Sequence, residues 1–263
     1  MAPLPSLYIP EVVSNEHLDK ITAYFGSLEN RPADISPDLR FIFICFTNRC
    51  GSNYLAEILS SDGKLPEAGE NLNFDTVIEH AQRRNLRSFH DYISFLVRQT
   101  ARNGLVMVKA ASTHIELLAR AGILDQIISR SRFVVIERGD KLGQAISHGI
   151  AFQTGKFMST TPDAVAARTL SFNADELTTI IEDICESYKQ FSLFFSRNGI
   201  VPAYVYYEHL VADTESVIKY LGQYLDISDL TINGAKLTLE KQANSTNDDW
   251  REQYLRQSLL ALA

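Results

Sequence analysis

The stretch FIFICFTNRCGSNYL at residues 41–55 contains an apolar run, a short polar turn and the start of an amphipathic segment. Residues 41–46 have the length and the β-branched and aromatic content of a strand buried on both faces. The turn holds one glycine and one arginine and leads into a helical pattern at residues 53–61. The stretch therefore predicts a strand–loop–helix unit over Phe41–Ser60.

The turn of this unit has the features of an anion-binding loop. Gly51 lets the backbone approach a ligand without a Cβ in the way. The amide groups of the turn and of the first helical residues point to one spot, which the helix dipole makes attractive to anions. Arg49 adds donors that fit phosphate or sulfonate oxygens, and Ser52 adds a hydroxyl. The alternative is a helix that Ser52 and Asn53 merely cap, because the Walker A pattern GxxxxGK[ST] is absent.

Three further apolar runs have the character of buried strands: LVMVKA (105–110), RFVVIE (132–137) and AYVYY (203–207). Helical patterns lie between the strands, at residues 88–102, 115–120, 123–129, 141–154 and 175–198. This alternation predicts an α/β fold with a mainly parallel sheet flanked by helices, and a ligand site beyond the carboxyl ends of the strands. We expect a single domain over residues 1–263, in which residues 210–263 form a helical lid or a small subdomain.

Composition and charge exclude several classes of function. The net charge of −7 argues against a general nucleic-acid surface, which needs an excess of Lys and Arg. The three cysteines cannot all pair and form no zinc-type CxxC motif, which favours a reducing compartment. The sequence contains neither a signal-peptide pattern nor an apolar stretch of membrane-spanning length. We therefore expect a cytoplasmic protein without a membrane span.

The loop resembles a motif of one enzyme family. Its Thr-Asn-Arg-Cys-Gly-Ser sequence at residues 47–52 is similar to the T-x-R-S-G-S loop of sulfotransferases that use 3′-phosphoadenosine-5′-phosphosulfate (PAPS). The closest variant is the bacterial family of trehalose 2-sulfotransferase and of nodulation-factor and lipopolysaccharide sulfotransferases. Cys50 stands for the usual Ser, and Asn53 for a common Thr. The resemblance implies a P-loop-like sulfotransferase fold and a nucleotide site formed by Thr47, Arg49, Cys50, Gly51, Ser52 and Asn53.

A second anion site follows the third predicted strand. Arg138 ends that strand, and Ser147 lies nine residues later on the next predicted helix, which Asp140 can cap. The sequence IERGDKLGQAIS is similar to the sulfotransferase segment whose Arg and Ser bind the 3′-phosphate of PAPS. Without that resemblance, Arg138 could equally form a surface ion pair with Glu137 or Asp140. Near the C-terminus, Lys241 lies in a K-Q-x pattern that resembles a nucleotide-covering segment of the family.

The resemblance also suggests a general base. The segment PEAGENLN at residues 66–73 is similar to the family stretch P-x-E-Y-F-N, whose Glu is the proposed base, and Glu70 aligns best with it. Glu67, three residues earlier, is an alternative. His114 is another, because many eukaryotic sulfotransferases use a His shortly after the corresponding strand. A base of this kind needs a pKa near the working pH.

Together these motifs imply transfer of a sulfuryl group from PAPS to a hydroxyl of a carbohydrate or glycolipid-like acceptor by in-line displacement. Glu70 and Arg49 are the predicted catalytic residues, the product nucleotide is adenosine 3′,5′-bisphosphate, and no metal is required. The resemblance also implies that two copies can pair as a homodimer. Two alternatives stay open: a non-catalytic nucleotide-binding relative of this fold, and a phosphoryl-transfer kinase, which needs a magnesium ligand and a loop lysine.

Overall fold

The structure is a computed structural model, and it describes residues 7–10, 12, 14–28, 32–155, 170–238 and 245–260. Within these ranges the chain forms eleven α-helices and four strands. In chain order they are α1 (Glu16–Phe25), β1 (Arg40–Cys45), α2 (Ser52–Ser60), α3 (Phe74–Arg84), α4 (Phe89–Thr100), β2 (Leu105–Ala110), α5 (Ser112–Arg120), α6 (Ile123–Ile127), β3 (Ser131–Glu137), α7 (Lys141–Thr154), α8 (Ala174–Arg197), β4 (Ala203–Tyr206), α9 (Tyr207–Ala212), α10 (Thr214–Leu225) and α11 (Ser245–Leu260).

The four strands form one parallel sheet in the order β2-β1-β3-β4. The central strand β1 places Phe43 opposite Val108 of β2 and opposite Phe133 of β3. Because the connections between the strands contain helices, parallel pairing is the expected outcome of right-handed crossovers. The predicted α/β fold with a parallel sheet flanked by helices is confirmed, and each predicted strand begins and ends within one residue of its observed position.

Each face of the sheet is covered by its own hydrophobic cluster. On one face, Phe41 and Phe43 of β1 pack in a cluster with α4, α5 and α8. On the other face, Ile42 and Ile44 pack in a cluster with α2 and α10. Each of these four side chains is 3% exposed or less, and burying a side chain of this size stabilises the fold by about 1.5–3 kcal/mol. The continuous apolar run of β1 is therefore explained by burial on both sides.

The segment after residue 210 contributes to both clusters. Ile218, Leu221 and Leu225 of α10 belong to the cluster on the α2 face. Trp250 of α11 belongs to the other cluster and packs edge-on against Phe172. Its separate role as a lid stays a prediction. In the described ranges, no helix combines the length and the hydrophobicity that crossing a membrane requires.

Two helices had no counterpart in the sequence patterns. One is α1, whose N-terminus is capped by Asn15, with its side chain accepting a hydrogen bond from the Leu18 N–H. The other is α3, which follows the loop that contains Glu70. The two helices pack against each other, and α1 also packs against α5, which follows the carboxyl end of β2. They therefore form part of the surroundings of the predicted site.

Candidate active site

The loop between β1 and α2 has an unusual backbone conformation. Gly51, the residue before α2, has a φ of 96°, and Arg49 has a φ of 64°. A non-glycine residue in this region is uncommon and costs about 1–3 kcal/mol, so it persists only where the surroundings hold it. The N-cap position of α2 is Gly51, which has no side chain, and Ser52 and Asn53 are the first two residues inside the helix. The alternative in which Ser52 and Asn53 merely cap this helix therefore finds no support.

Gly51 is also required by a side chain from the far end of the sequence. A Cβ at this position would lie 2.4 Å from Cδ2 of Tyr207, the first residue of α9. The ring of Tyr207 therefore packs directly on the loop backbone. This contact was not evident from the sequence, because 156 positions separate the two residues.

We expect Gly51→Ala to lower the free energy of unfolding by about 1–3 kcal/mol more than Gly26→Ala does. Both glycines have a positive φ, but a Cβ at Gly26 would meet nothing within 4 Å. The difference between the variants isolates the overlap with Tyr207, and chemical denaturation of both measures it. Equal losses in the two variants would show that the ring moves aside without cost.

Arg49 points towards α7. Its Nε donates a hydrogen bond to Oγ of Ser147 at 3.0 Å. Burial lowers the pKa of Arg49, and the positive charge of Arg138 lowers it further. Two guanidinium groups that repel each other beside a loop of backbone amides favour a bound anion, which would neutralise both charges.

Arg138 directly follows β3 and lies close enough to Arg49 for the two charges to interact. Its guanidinium carbon lies 5.4 Å from the ring centre of Tyr207, and its Nη2 lies 3.7 Å from Oδ2 of Asp140. Its Nε is buried and has no hydrogen-bond partner among the described residues. A buried donor without a partner costs about 1–3 kcal/mol, more when it is charged, so a ligand oxygen at this position would be favourable.

Asp140 also serves two structural purposes. Its side chain accepts a hydrogen bond from the Gly143 N–H at 2.9 Å and so caps α7 as predicted, and it pairs with Arg251 of α11. Glu208 holds the same loop through the N–H groups of Gly139, at 3.1 Å, and Asp140, at 3.3 Å. The loop after β3 is therefore fixed from both sides, which holds Arg138 in place.

Two of the predicted loop residues turn their side chains into the protein. The Thr47 hydroxyl donates to Oη of Tyr188 at 3.1 Å and accepts from Nε2 of Gln144 at 2.8 Å. The Cys50 side chain is fully buried, and this burial raises the pKa of its thiol. Ser52 is also mostly buried. The side chains of Thr47 and Cys50 thus support the loop from its buried side. Contact of these two residues with a ligand through their backbone N–H groups stays a prediction.

Glu70 meets a lysine that the sequence analysis did not include in the site. Nζ of Lys109, near the end of β2, lies 2.6 Å from Oε1 of Glu70 and also donates to Oδ1 of Asn53 on α2. The Lys109 side chain is 1% exposed, whereas that of Glu70 is 40% exposed. Lys109 therefore links the predicted base to the helix that follows the predicted anion-binding loop.

The surroundings of Glu70 keep it ionised. Burial acts to raise its pKa, but the charge and hydrogen bond of Lys109 outweigh that effect, together with a hydrogen bond from Nδ2 of Asn73 at 3.1 Å. The net result is a pKa below the ordinary value of 4.5, whereas the sequence predicts a base with a pKa near the working pH. Glu70 is consequently a carboxylate at neutral pH, with part of its side chain accessible.

The alternative bases occupy different positions. Glu67 is exposed, three residues before Glu70. His114 is 1% exposed, and its Nδ1 accepts a hydrogen bond from the Ala111 N–H at 3.1 Å. Burial, followed by the charges of His17 and Lys109, lowers the pKa of His114 well below 6.5. Lys241, the remaining predicted contact, lies outside the described residues.

Sequence comparison identifies relatives of the chain. Residues 72–257 match the family described as Stf0 sulphotransferase. A trehalose 2-sulfotransferase of Mycobacterium tuberculosis (strain ATCC 35801 / TMC 107 / Erdman) is 31% identical over 139 residues, which cover 51% of this chain and 49% of that protein. The match thus spans about half the length of this curated relative. The family match includes Lys109, Arg138 and Ser147, but it begins after the loop and after Glu70.

Comparison with solved structures finds sulfotransferases that are distant in sequence. A sulfotransferase from Alicyclobacillus acidocaldarius is 13% identical with a TM-score of 0.49, and the similarity covers 86% of this chain and 92% of that one. Mouse sulfotransferase SULT7A1, in complex with PAP, is 11% identical with a TM-score of 0.44, covering 88% of this chain and 69% of that one.

Proposed function

Because the chain belongs to the Stf0 sulphotransferase family, we propose that it transfers a sulfuryl group from PAPS to a hydroxyl of a carbohydrate or glycolipid-like acceptor. The observation that carries this proposal is the convergence of Arg49 and Arg138 on the loop that opens α2. Their charges repel each other, and Nε of Arg138 is buried without a hydrogen-bond partner in the described part of the chain. The carbohydrate class of acceptor is supported by the similarity to trehalose 2-sulfotransferase.

The residues fit a ligand that carries phosphate at two positions. The amides around Gly51, together with Arg49, suit the 5′-phosphosulfate, because a helix N-terminus and a guanidinium both favour anions. Arg138 and Ser147 suit the 3′-phosphate. The hydroxyl of Ser147 also accepts a hydrogen bond from Nε of Arg49, so the two proposed phosphate positions are neighbours. PAPS, when bound, supplies an activated sulfuryl group.

In this proposal each charged residue has a separate task. Glu70 accepts the proton of the acceptor hydroxyl, since it is ionised and partly accessible. Arg49 stabilises the negative charge that develops on the leaving phosphate oxygen. Lys109 holds Glu70 in place and fixes its distance from α2 through Asn53. The acceptor hydroxyl would thus lie between a base and a charge-stabilising group.

Calorimetric titration with adenosine 3′,5′-bisphosphate tests the nucleotide site. We expect the protein to bind it, and Arg138→Ala to weaken binding by about tenfold to a hundredfold, because a charge-assisted hydrogen bond contributes about 1.5–3 kcal/mol. Arg98→Ala is the matched control, since Arg98 is exposed and pairs with Asp34 on the surface. Absence of binding by the unmodified protein would contradict the proposal.

Incubation with labelled PAPS and a panel of hydroxylated acceptors tests the transfer itself. Label on a carbohydrate or glycolipid supports the proposed acceptor class. Label on an acceptor without a sugar would contradict that class but retain sulfuryl transfer. Nucleotide binding without transfer to any acceptor would instead favour the non-catalytic relative.

A further inference from the structure

Helix α1 lies before the first residue of the family match, yet it is fixed next to the candidate site. Nδ2 of Asn15, at its N-terminus, donates to the Thr113 carbonyl at 2.8 Å and to Oε2 of Glu116 at 2.9 Å. Both partners belong to α5, and Asn15 is buried. These bonds hold the first turn of α1 in one position relative to α5.

That turn carries His17, which contacts the segment containing Glu70. Nδ1 of His17 accepts a hydrogen bond from the N–H of Phe74, the first residue of α3, at 3.1 Å. The preceding residue, Asn73, makes no capping bond to α3 and instead donates to Oε2 of Glu70. His17 therefore satisfies the first amide of α3, directly next to the residue whose side chain donates to Glu70.

The ring of His17 also packs against the segment that contains Lys109. Its centre lies 4.4 Å from that of His114. The Nδ1 of His114 accepts from the N–H of Ala111, two residues after Lys109. A ring nitrogen that accepts from an amide carries no proton, so both imidazoles are neutral in this arrangement. The contact between the two rings thus joins the segment that contains Glu70 to the segment that contains Lys109.

We propose that His17 is a positioning residue of the transfer reaction. Its neutral imidazole holds the start of α3 against His114 and thereby keeps Glu70 within hydrogen-bonding distance of Lys109. This inference rests on the proposed function for its effect on rate. The contacts that it invokes are independent of that function. His17 acts through Phe74 and Asn73 and does not itself receive the proton of the acceptor.

Protonation of His17 removes its hydrogen bond to the start of α3, because a protonated Nδ1 cannot accept from the Phe74 amide. The groups that face His17 are Glu16 and Lys20 on α1, Glu70 in the loop, Asp75 on α3 and His114 on α5, with Lys109 beyond it. Burial is the largest influence and lowers the pKa of His17 below 6.5, although the three carboxylates oppose it. This hydrogen bond is therefore present at neutral pH and is lost as the pH falls through the pKa of His17, which lies below 6.5.

Three proteins test the inference: the unmodified chain, His17→Ala and His17→Asn, in which the amide oxygen of Asn replaces Nδ1 as acceptor. We expect His17→Ala to lower kcat by about tenfold to a hundredfold with little change in affinity for adenosine 3′,5′-bisphosphate, because only the Glu70 segment shifts. His17→Asn restores most of the rate and loses the part of the acid limb that comes from His17, so that only the protonation of Glu70 at lower pH remains. Equal rates and equal pH profiles for His17→Ala and the unmodified chain would overturn the inference.

Hydrogen exchange at the Phe74 amide provides a readout that needs no turnover. We expect this amide to lose protection in the unmodified chain as the pH falls below 6.5, after correction for the intrinsic exchange rate, and to keep it in His17→Asn. Protection that is the same in all three proteins would overturn the inference even if sulfuryl transfer is observed. Failure of the proposed function is separate: it appears as an unmodified chain that does not bind the nucleotide.

Discussion

Replacement of Glu70 by Gln is expected to lower the rate of sulfuryl transfer by about a hundredfold to ten-thousandfold, the usual contribution of a general base. Gln keeps the shape of the side chain and can still accept a hydrogen bond from Lys109, but it cannot take a proton. Affinity for adenosine 3′,5′-bisphosphate should stay nearly the same, because Arg49 and Arg138 are untouched. The effect should therefore lie almost entirely in kcat.

Steady-state kinetics with saturating PAPS measure this loss, and Glu67→Gln is the matched comparison. The two carboxylates lie three residues apart in one loop, but only Glu70 contacts Lys109. A larger loss of rate in Glu67→Gln than in Glu70→Gln would contradict the assignment of the base. Because the substitution leaves the buried Lys109 without its ionic partner, a denaturation curve must accompany the kinetics.

Replacement of Arg49 by Ala is expected to lower the rate by about a hundredfold to a thousandfold, as the loss of one charge-stabilising donor typically does. The physical reason is the partly buried position of the guanidinium, where a charge acts more strongly than it does in water. The hydrogen bond to Ser147 would also be lost. Unlike Glu70→Gln, this variant should weaken nucleotide binding as well.

Arg49→Lys separates the effect of the positive charge from the effect of the hydrogen bond to Ser147. Lys keeps a positive charge but lacks the planar fork and the Nε donor that reaches Ser147. We expect it to recover part of the rate that Arg49→Ala loses, but not all of it. Single-turnover measurements would detect this difference. A rate for Arg49→Ala within about twofold of the unmodified protein would remove Arg49 from the mechanism.

Much of the fold could be predicted from local sequence patterns. The apolar run FIFICF predicted β1 because a strand buried on both faces needs apolar side chains at every position. The Asp140 cap and the pattern after it predicted α7 from Lys141 to Thr154, as observed. In contrast, α1 and α3 were missed, because each has only one or two fully buried residues, Ile21 in α1 and Val77 and Ala81 in α3, and the two helices pack against each other.

The sequence by itself determined the parallel α/β sheet and the strand–loop–helix unit that contains Arg49 and Gly51, since strand burial and helix periodicity are local properties; that this loop binds an anion stays a prediction. Only the tertiary structure decided that Lys109 pairs with Glu70, that Tyr207 packs on Gly51 and that His17 reaches Phe74. Each of these contacts joins residues that lie far apart in the sequence. Their positions depend on how whole helices pack on the sheet, and the spacing of residues along the chain does not predict that packing.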